Sequence, residues 1–351
     1  MAPSFPEFRS GGERWFFLQQ FGVDRQARRI RRWPRMWSSK MSLTIVMYHY
    51  VRDLRRSRYP AIRGRTIDAF RGQLDHFSRH YEVITVDQVG AAVRGEASLP
   101  DNACWLTFDD GYIDHFQSVF PLLEDRGWQG SFFAPAKPIL EGRVLDVNKI
   151  HFILASEPDA MNVVEHMRRE VEHAREDGAS LRSWEDYLAE YRTQCHLDTP
   201  DVLFVKLMLQ KGLPEAVRGR ICDSLFSRFV SADESSFAGE LYLSVDQART
   251  MVRAGMAFGS HGYSHRWLAS LDSDGQELEI QRSIDFLCRL GMPRERWAIC
   301  YPYGNYDETT LEIARRLGAE LGVTTREAIA DLSRHGALEL PRVDTISLPI
   351  S

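Results

Sequence analysis

From Leu43 onwards, short runs of apolar and β-branched residues alternate with stretches whose apolar positions recur every three or four residues. The runs are "LTIVMYHY" from Leu43, "YEVITV" from Tyr81, "ACWLTFDD" from Ala103, "QGSFFAP" from Gln129, "MAFGSH" from Met256, "WAICYPYG" from Trp297, "ELGVTT" from Glu320 and "LELPRVDT" from Leu338. Alternation of such runs with helical text predicts parallel βα units, and eight candidate strands predict an α/β barrel. Between them, "TIDAFRGQLDHFSRH" sets Phe70, Leu74 and Phe77 on one helix face. "ELEIQRSIDFLCRLG" is expected to do the same with Leu278, Ile284, Leu287 and Leu290, closed by Gly291. Thr66 and Ser244 are N-cap candidates.

One segment breaks the alternation. From about 150 to 243 the text is charged and helical, as in "VVEHMRREVEHARED", and a helical insertion in one βα loop is expected there. In a barrel such loops ring the active site, so a lid, a specificity wall or a dimer surface would all fit. His166, His173 and His196 within it read as solvated side chains rather than ligands. Residues 1–40 differ again. "RQARRIRRWPRMWSSK", Arg25 to Lys40, interleaves arginines with Ile30, Trp33, Met36 and Trp37. A basic, aromatic N-terminal extension is expected there, able to make peripheral contact with an anionic membrane through residues 25–40. The barrel is expected over 41–351.

Composition narrows the function classes. The chain is 44% hydrophobic and 26% charged, as ordinary globular proteins are, and its net charge of -5 argues against a nucleic-acid partner. Five scattered cysteines without CxxC pairing read as reduced thiols, and the N-terminus lacks a signal-peptide pattern. The expected setting is cytoplasmic. The number of subunits is not fixed by any of this.

Several predicted strands end in reactive residues: His49, the pair Asp109 and Asp110, His261, Tyr303, and Arg342 with Asp344. In a parallel barrel all carboxyl ends of the strands share one face, so these residues converge. In "GSHGYSH" two histidines stand four apart, and a carboxylate from Asp109 or Asp110 would complete a three-ligand set that leaves water on a divalent metal. Adjacent carboxylates then need separate duties, one binding metal and the other accepting a proton. In "YPYGNYD", Pro302 and Gly304 flank Tyr303 in a turn able to aim backbone N–H groups into a cavity.

"TFDDG", "SHGYSH" and "YPYG", in this order, resemble the NodB-homology polysaccharide deacetylases, a carbohydrate esterase family. The resemblance runs from about Leu43 to Asp344, the insertion apart. It implies a distorted (β/α)7-8 barrel with Asp109 as catalytic base and Asp110, His261 and His265 as ligands of zinc, or of Co2+ or Ni2+. It also implies that the Tyr303 N–H faces the oxyanion. This sequence departs from the family pattern at three places. Gly262 stands where Ser or Thr is common, with Ser264 as a substitute hydroxyl. Cys300 replaces the arginine that orients the base, and Arg342 is the candidate substitute, with Asp344 as its partner. No C-terminal Leu-x-His motif supplies the general acid, so His49 is the first candidate and His335 the second.

The implied activity is metal-dependent N-deacetylation of an acetamido sugar, nucleotide-activated or lipid-linked, in bacterial surface polysaccharide or lipopolysaccharide assembly. Two alternatives are a deformylase of a formamido sugar and a non-catalytic sugar-binding protein on the same barrel.

Overall fold

A computed structural model describes residues 41–193 and 198–350. The membrane-contact reading of residues 25–40, together with Cys195 and His196, lies outside the described residues. No described helix is long and apolar enough to cross a membrane.

Seven parallel strands close into a barrel. They are β1 (Ser42–Tyr48), β3 (Ala103–Asp109), β4 (Ser131–Ala134), β5 (Ala257–Ser260), β6 (Trp297–Cys300), β7 (Ala319–Glu327) and β9 (Leu340–Asp344). Neighbours pair in that order, and β9 returns to β1 through Val46↔Val343 and Met47↔Asp344. Two short strands fill the ragged rim. β2 (Glu82–Val83) pairs with the start of β3, and β8 (Ala330–Asp331) runs antiparallel along the start of β1. The "YEVITV" run therefore gives only a two-residue edge strand. Closure is uneven: β5 meets β6 at a single aligned pair, Ser260↔Ile299, and register shifts interrupt β6–β7 and β7–β9.

Strand periodicity decides what the barrel encloses. Side chains alternate between faces. In β3, Cys104, Leu106 and Phe108 pack outward against the helices, while Trp105 joins the interior cluster of Leu43, Ile45, Phe133, Ala298, Cys300, Leu321, Val323 and Leu340. Thr107 and Asp109 share the parity of Trp105, and Arg342 shares that of Leu340. A largely apolar barrel core thus ends, at its carboxyl mouth, in a layer of polar side chains.

The outer helices follow their caps and faces. Thr66 accepts from Ala69 N at the head of helix Ile67–His80, which buries Phe70, Leu74 and Phe77. Ser244 opens helix Val245–Arg253 with a full capping box. The expected face of helix Ser273–Leu290 needs one correction. Ile284, Leu287 and Leu290 are buried with Ile280, whereas Leu278 is exposed. Six residues of helix turn through about 240° beyond a full circle, which carries Leu278 away from the Ile284 face.

Between β4 and β5 the described chain is helical throughout. Its helices, among them Asp146–Ser156, Ala160–Glu176, Trp184–Tyr191, Pro200–Leu207 and Glu215–Phe229, build their own core from Val163, Met167, Trp184, Phe204, Leu225 and others. That core is continuous with Tyr50, Tyr112 and Tyr303 at the barrel mouth. His173 lies on exposed helix surface, as expected, whereas His166 is half-buried, edge-on to Phe229 at 5.2 Å with Nδ1 2.8 Å from Asn162 O.

Candidate active site

Asp109 ends β3 inside the barrel, and Arg342 of β9 reaches it across the intervening strand β1. Arg342 Nη1 donates to Asp109 Oδ1 at 2.9 Å and Nη2 to Oδ2 at 2.7 Å. The guanidinium is fixed in turn by Nε donating to Thr324 O (3.0 Å) and Nη1 to Thr107 Oγ1 (3.1 Å). Cys300 Sγ lies 3.1 Å from Nη2, so the small thiol leaves the space that the guanidinium enters. Both partners are buried. Burial pushes the Asp109 carboxyl up, but Arg342 outweighs it and holds the group below the usual carboxylate value. Asp344 is not the partner of Arg342; it caps the following turn by accepting from Ile346 N at 2.8 Å.

Asp110 faces elsewhere because its backbone turns. Its φ is 73°, in the left-handed region, and Gly111 follows at 65°. Among the described residues four non-glycine positions have positive φ, and three of them are Asp110, His265 and Tyr303. Such strain persists where surrounding structure over-determines it, commonly at functional sites. Here it swings Asp110 Oδ1 to 3.4 Å from both His261 Nε2 and His265 Nε2.

These three atoms suit a divalent ion. Donors bonded at about 2.0–2.1 Å to one tetrahedral ion stand about 3.3–3.4 Å apart. Asp110 Oδ1 is buried without a hydrogen-bond partner, an unsatisfied charge that a cation would satisfy. His261 Nδ1 sits 2.7 Å from Cys300 O, which orients the ring with Nε2 toward Asp110. Burial lowers His261, but Cys300 and Asp110 outweigh it and draw the ring toward its protonated form until a cation takes that place. Burial lowers His265, favouring the neutral, ligating ring. A second triple, Asp109, His261 and Cys300, also lies close together. It fits a cation poorly, since Arg342 occupies both Asp109 oxygens and burial holds the Cys300 thiol protonated.

The loop carrying the histidines is pinned by a residue the sequence reading missed. Glu279, buried on helix Ser273–Leu290, accepts from Tyr263 N, Ser264 N (2.9 Å) and Ser264 Oγ (2.6 Å). Ser264 therefore spends its hydroxyl on Glu279 rather than on the metal-ligand side. Gly262 has φ 67°, which explains glycine where the resemblance leads one to expect Ser or Thr. Tyr303, at φ 60°, lays its ring edgewise on His265 (4.5 Å) and stacks on Trp267 (4.5 Å). Gly304 follows so tightly that a Cβ would stand 2.1 Å from Thr325 Oγ1.

His49 brings Nε2 to 3.8 Å from Asp109 Oδ2 and keeps a quarter of its side chain exposed. His115 Nε2 lies 3.0 Å from His49 O and steadies that backbone. His335 is placed at the other end of the barrel. It follows β8, which pairs with Ser42 and Leu43 at the start of β1, whereas His49 follows the end of that strand. Beside His49 a cavity of about 510 Å³ is walled by the loop after β1 (Leu54, Arg63, Arg65), the inserted helices (His151, Val202, Lys206) and the end of β9 (Asp344, Ile346).

Residues 229–322 match the sequence model of a family described as polysaccharide deacetylase. The matched stretch holds the histidine loop and the Tyr303 turn but begins after Asp109 and Asp110. YxkH of Bacillus subtilis (strain 168) is 30% identical over 102 residues, 29% of this chain and 36% of that protein. The poly-beta-1,6-N-acetyl-D-glucosamine N-deacetylase of Escherichia coli (strain K12) is 42% identical over 48 residues, 14% of this chain and 7% of that protein. The alignments thus span about a third of one curated relative and a small part of the other. Among solved structures, the Streptococcus pyogenes deacetylase PplD, in complex with acetate, is similar in fold: TM-score 0.53, 21% identity, 86% of this chain and 92% of that one.

Proposed function

We propose that this chain is a metal-dependent N-deacetylase of an acetamido sugar, with Asp109 as base, Asp110, His261 and His265 as metal ligands, and His49 as acid. The observation that carries the reading is the divided pair of carboxylates. Asp109 is locked bidentately on Arg342, while the neighbouring Asp110 presents a bare oxygen to two imidazoles.

A divalent ion, zinc or else cobalt or nickel, would supply Lewis acidity toward the acyl oxygen and toward water. The residues divide the remaining work. Asp109, ionised and oriented by Arg342, accepts the proton of the attacking water; a carboxylate has lone pairs beyond the two that Arg342 uses. The left-handed turn at Tyr303 supports its N–H as an oxyanion donor, worth about 3 kcal/mol in comparable sites. His49 Nε2 returns a proton to the departing amine, from the side on which the cavity opens.

The cavity beside His49 supports a sugar ring bound on that side. A cavity bounded on three sides, in which Arg63 and Lys206 are both paired with Asp198, favours a compact glycoconjugate over the middle of a long polymer. A nucleotide-activated or lipid-linked precursor of surface polysaccharide, handled in the cytoplasm, is the finer form of the proposal. Residues 41–351 would then act as one deacetylase unit, with 150–243 as its insertion.

The test is a mass-spectrometric screen of nucleotide-linked and lipid-linked acetamido and formamido sugars, with metal content measured in parallel. Loss of the acetyl mass, abolished by Asp109→Asn, is the expected result. Loss of the formyl mass alone would change the acyl group. Turnover unaffected by Asp109→Asn would overturn the mechanism, and stoichiometric metal without any turnover would favour a binding protein.

A further inference from the structure

The helical insertion reaches the Asp110 carboxylate through one side chain. Asp110 Oδ2, the oxygen turned away from the histidines, accepts from Tyr112 OH at 2.6 Å. A phenol that gives its only proton to a carboxylate can otherwise only accept. What it accepts from is Asn148 Nδ2 at 2.7 Å, on helix Asp146–Ser156 at the start of the insertion. The second proton of that amide goes to Tyr50 OH at 3.0 Å, and its Oδ1 accepts from Tyr242 OH. Tyr242 lies at the far end of the insertion, accepts from Leu145 N at 3.1 Å, and bridges to Tyr112 beside the bond from Leu243 N to Gly111 O.

All of these side chains are buried, and the rings stack: Tyr50 on Tyr112 at 4.0 Å, and Tyr112 on Tyr242 at 6.1 Å. Both protons of the Asn148 amide and its oxygen are thereby engaged, so its orientation is fixed. A flipped amide would set an oxygen against the Tyr112 oxygen.

We propose that Tyr112 and Asn148 are positioning residues for the metal. Through them the two ends of the insertion hold Asp110 Oδ2, leaving Oδ1 as the single ligating oxygen aimed between His261 and His265. The insertion is then part of the metal site's outer support. This rests on the metal-site reading above.

The test uses the full chain stripped of metal and titrated with Zn2+ or Co2+ alone, following affinity and the visible absorption of the cobalt form. Thermal unfolding of the metal-free proteins is measured alongside. Tyr112→Phe keeps the ring and is expected to weaken metal binding 10–100-fold and to shift the cobalt spectrum. Asn148→Asp sets an acceptor against the Tyr112 oxygen and competes for its proton, so a loss at least as large is expected. Tyr242→Phe, one bond further out, is expected to cost a few-fold. Folded Tyr112→Phe with wild-type affinity and spectrum overturns the proposal, whatever the other variants do. Wild-type protein that binds neither ion overturns the metal-site reading itself, a different result.

Discussion

Asp109 and Asp110 are neighbours in the chain, yet different parts of the molecule hold them. Asp109 belongs to the barrel interior, where Arg342 holds it and is itself held by Thr107 and Cys300. Asp110 is turned out of that layer by a left-handed backbone and is held from outside, by Tyr112 and the inserted helices. The difference suits adjacent, equally buried carboxylates to the opposite duties proposed for them. The buried Arg342 guanidinium keeps Asp109 ionised, as its proposed role of proton acceptor requires. Asp110 keeps an unsatisfied oxygen, which calls for a cation the protein itself does not supply.

The barrel side can be broken hardest. Arg342→Leu leaves Asp109 a buried carboxylate without its counter-ion, and unfolding in denaturant is expected to show a loss of about 3–5 kcal/mol, with activity abolished. Adding Asp109→Asn should restore part of that stability and none of the activity. A single-variant loss within about 0.5 kcal/mol would mean the pair is not desolvated as described.

His49→Gln separates chemistry from architecture. The ring is partly exposed, so stability should change by no more than about 0.5 kcal/mol, while kcat falls about 10²-fold through loss of the acid. Undiminished kcat would move the acid role to another group. Next is a buried cation of the insertion. Lys149 pairs with Asp223 and Glu234, but Asp223 is half exposed and water can replace the lysine there. Lys149→Met is therefore expected to cost on the order of 1 kcal/mol, well below Arg342→Leu. Equal losses would erase the contrast between the two regions. The outer shell is expected to matter least to function: Ser244→Ala removes a capping box for about 1 kcal/mol of stability, with metal affinity and kcat/KM unchanged.

The legible part of the molecule was local. Each barrel strand is apolar on both faces, since one face meets the helices and the other the interior, so its run stands out in the text. The reactive residues at strand ends were visible for the same reason, and parity within "LTFDDG" already separates Asp109 from Phe108. Capping at Thr66 and Ser244 needs only a few residues and was readable too. The Leu278 face was misjudged because a six-residue gap matches neither three- nor four-residue spacing. The Tyr81 run reads as a strand but sits where β3 has only two residues left to pair with.

Sequence by itself thus determined the βα alternation, the motifs and their order, because these depend on neighbours within a few residues. Tertiary structure alone decided which groups meet. The Arg342–Asp109 pair spans 233 positions and depends on β9 closing against β1 and β1 against β3 in one register. Glu279 under the histidine loop, and Asn148 and Tyr242 behind Tyr112, depend on helix docking that no local periodicity encodes. A buried polar group declares its role only through its partner. The partner is chosen by how the barrel closes and where the insertion lands.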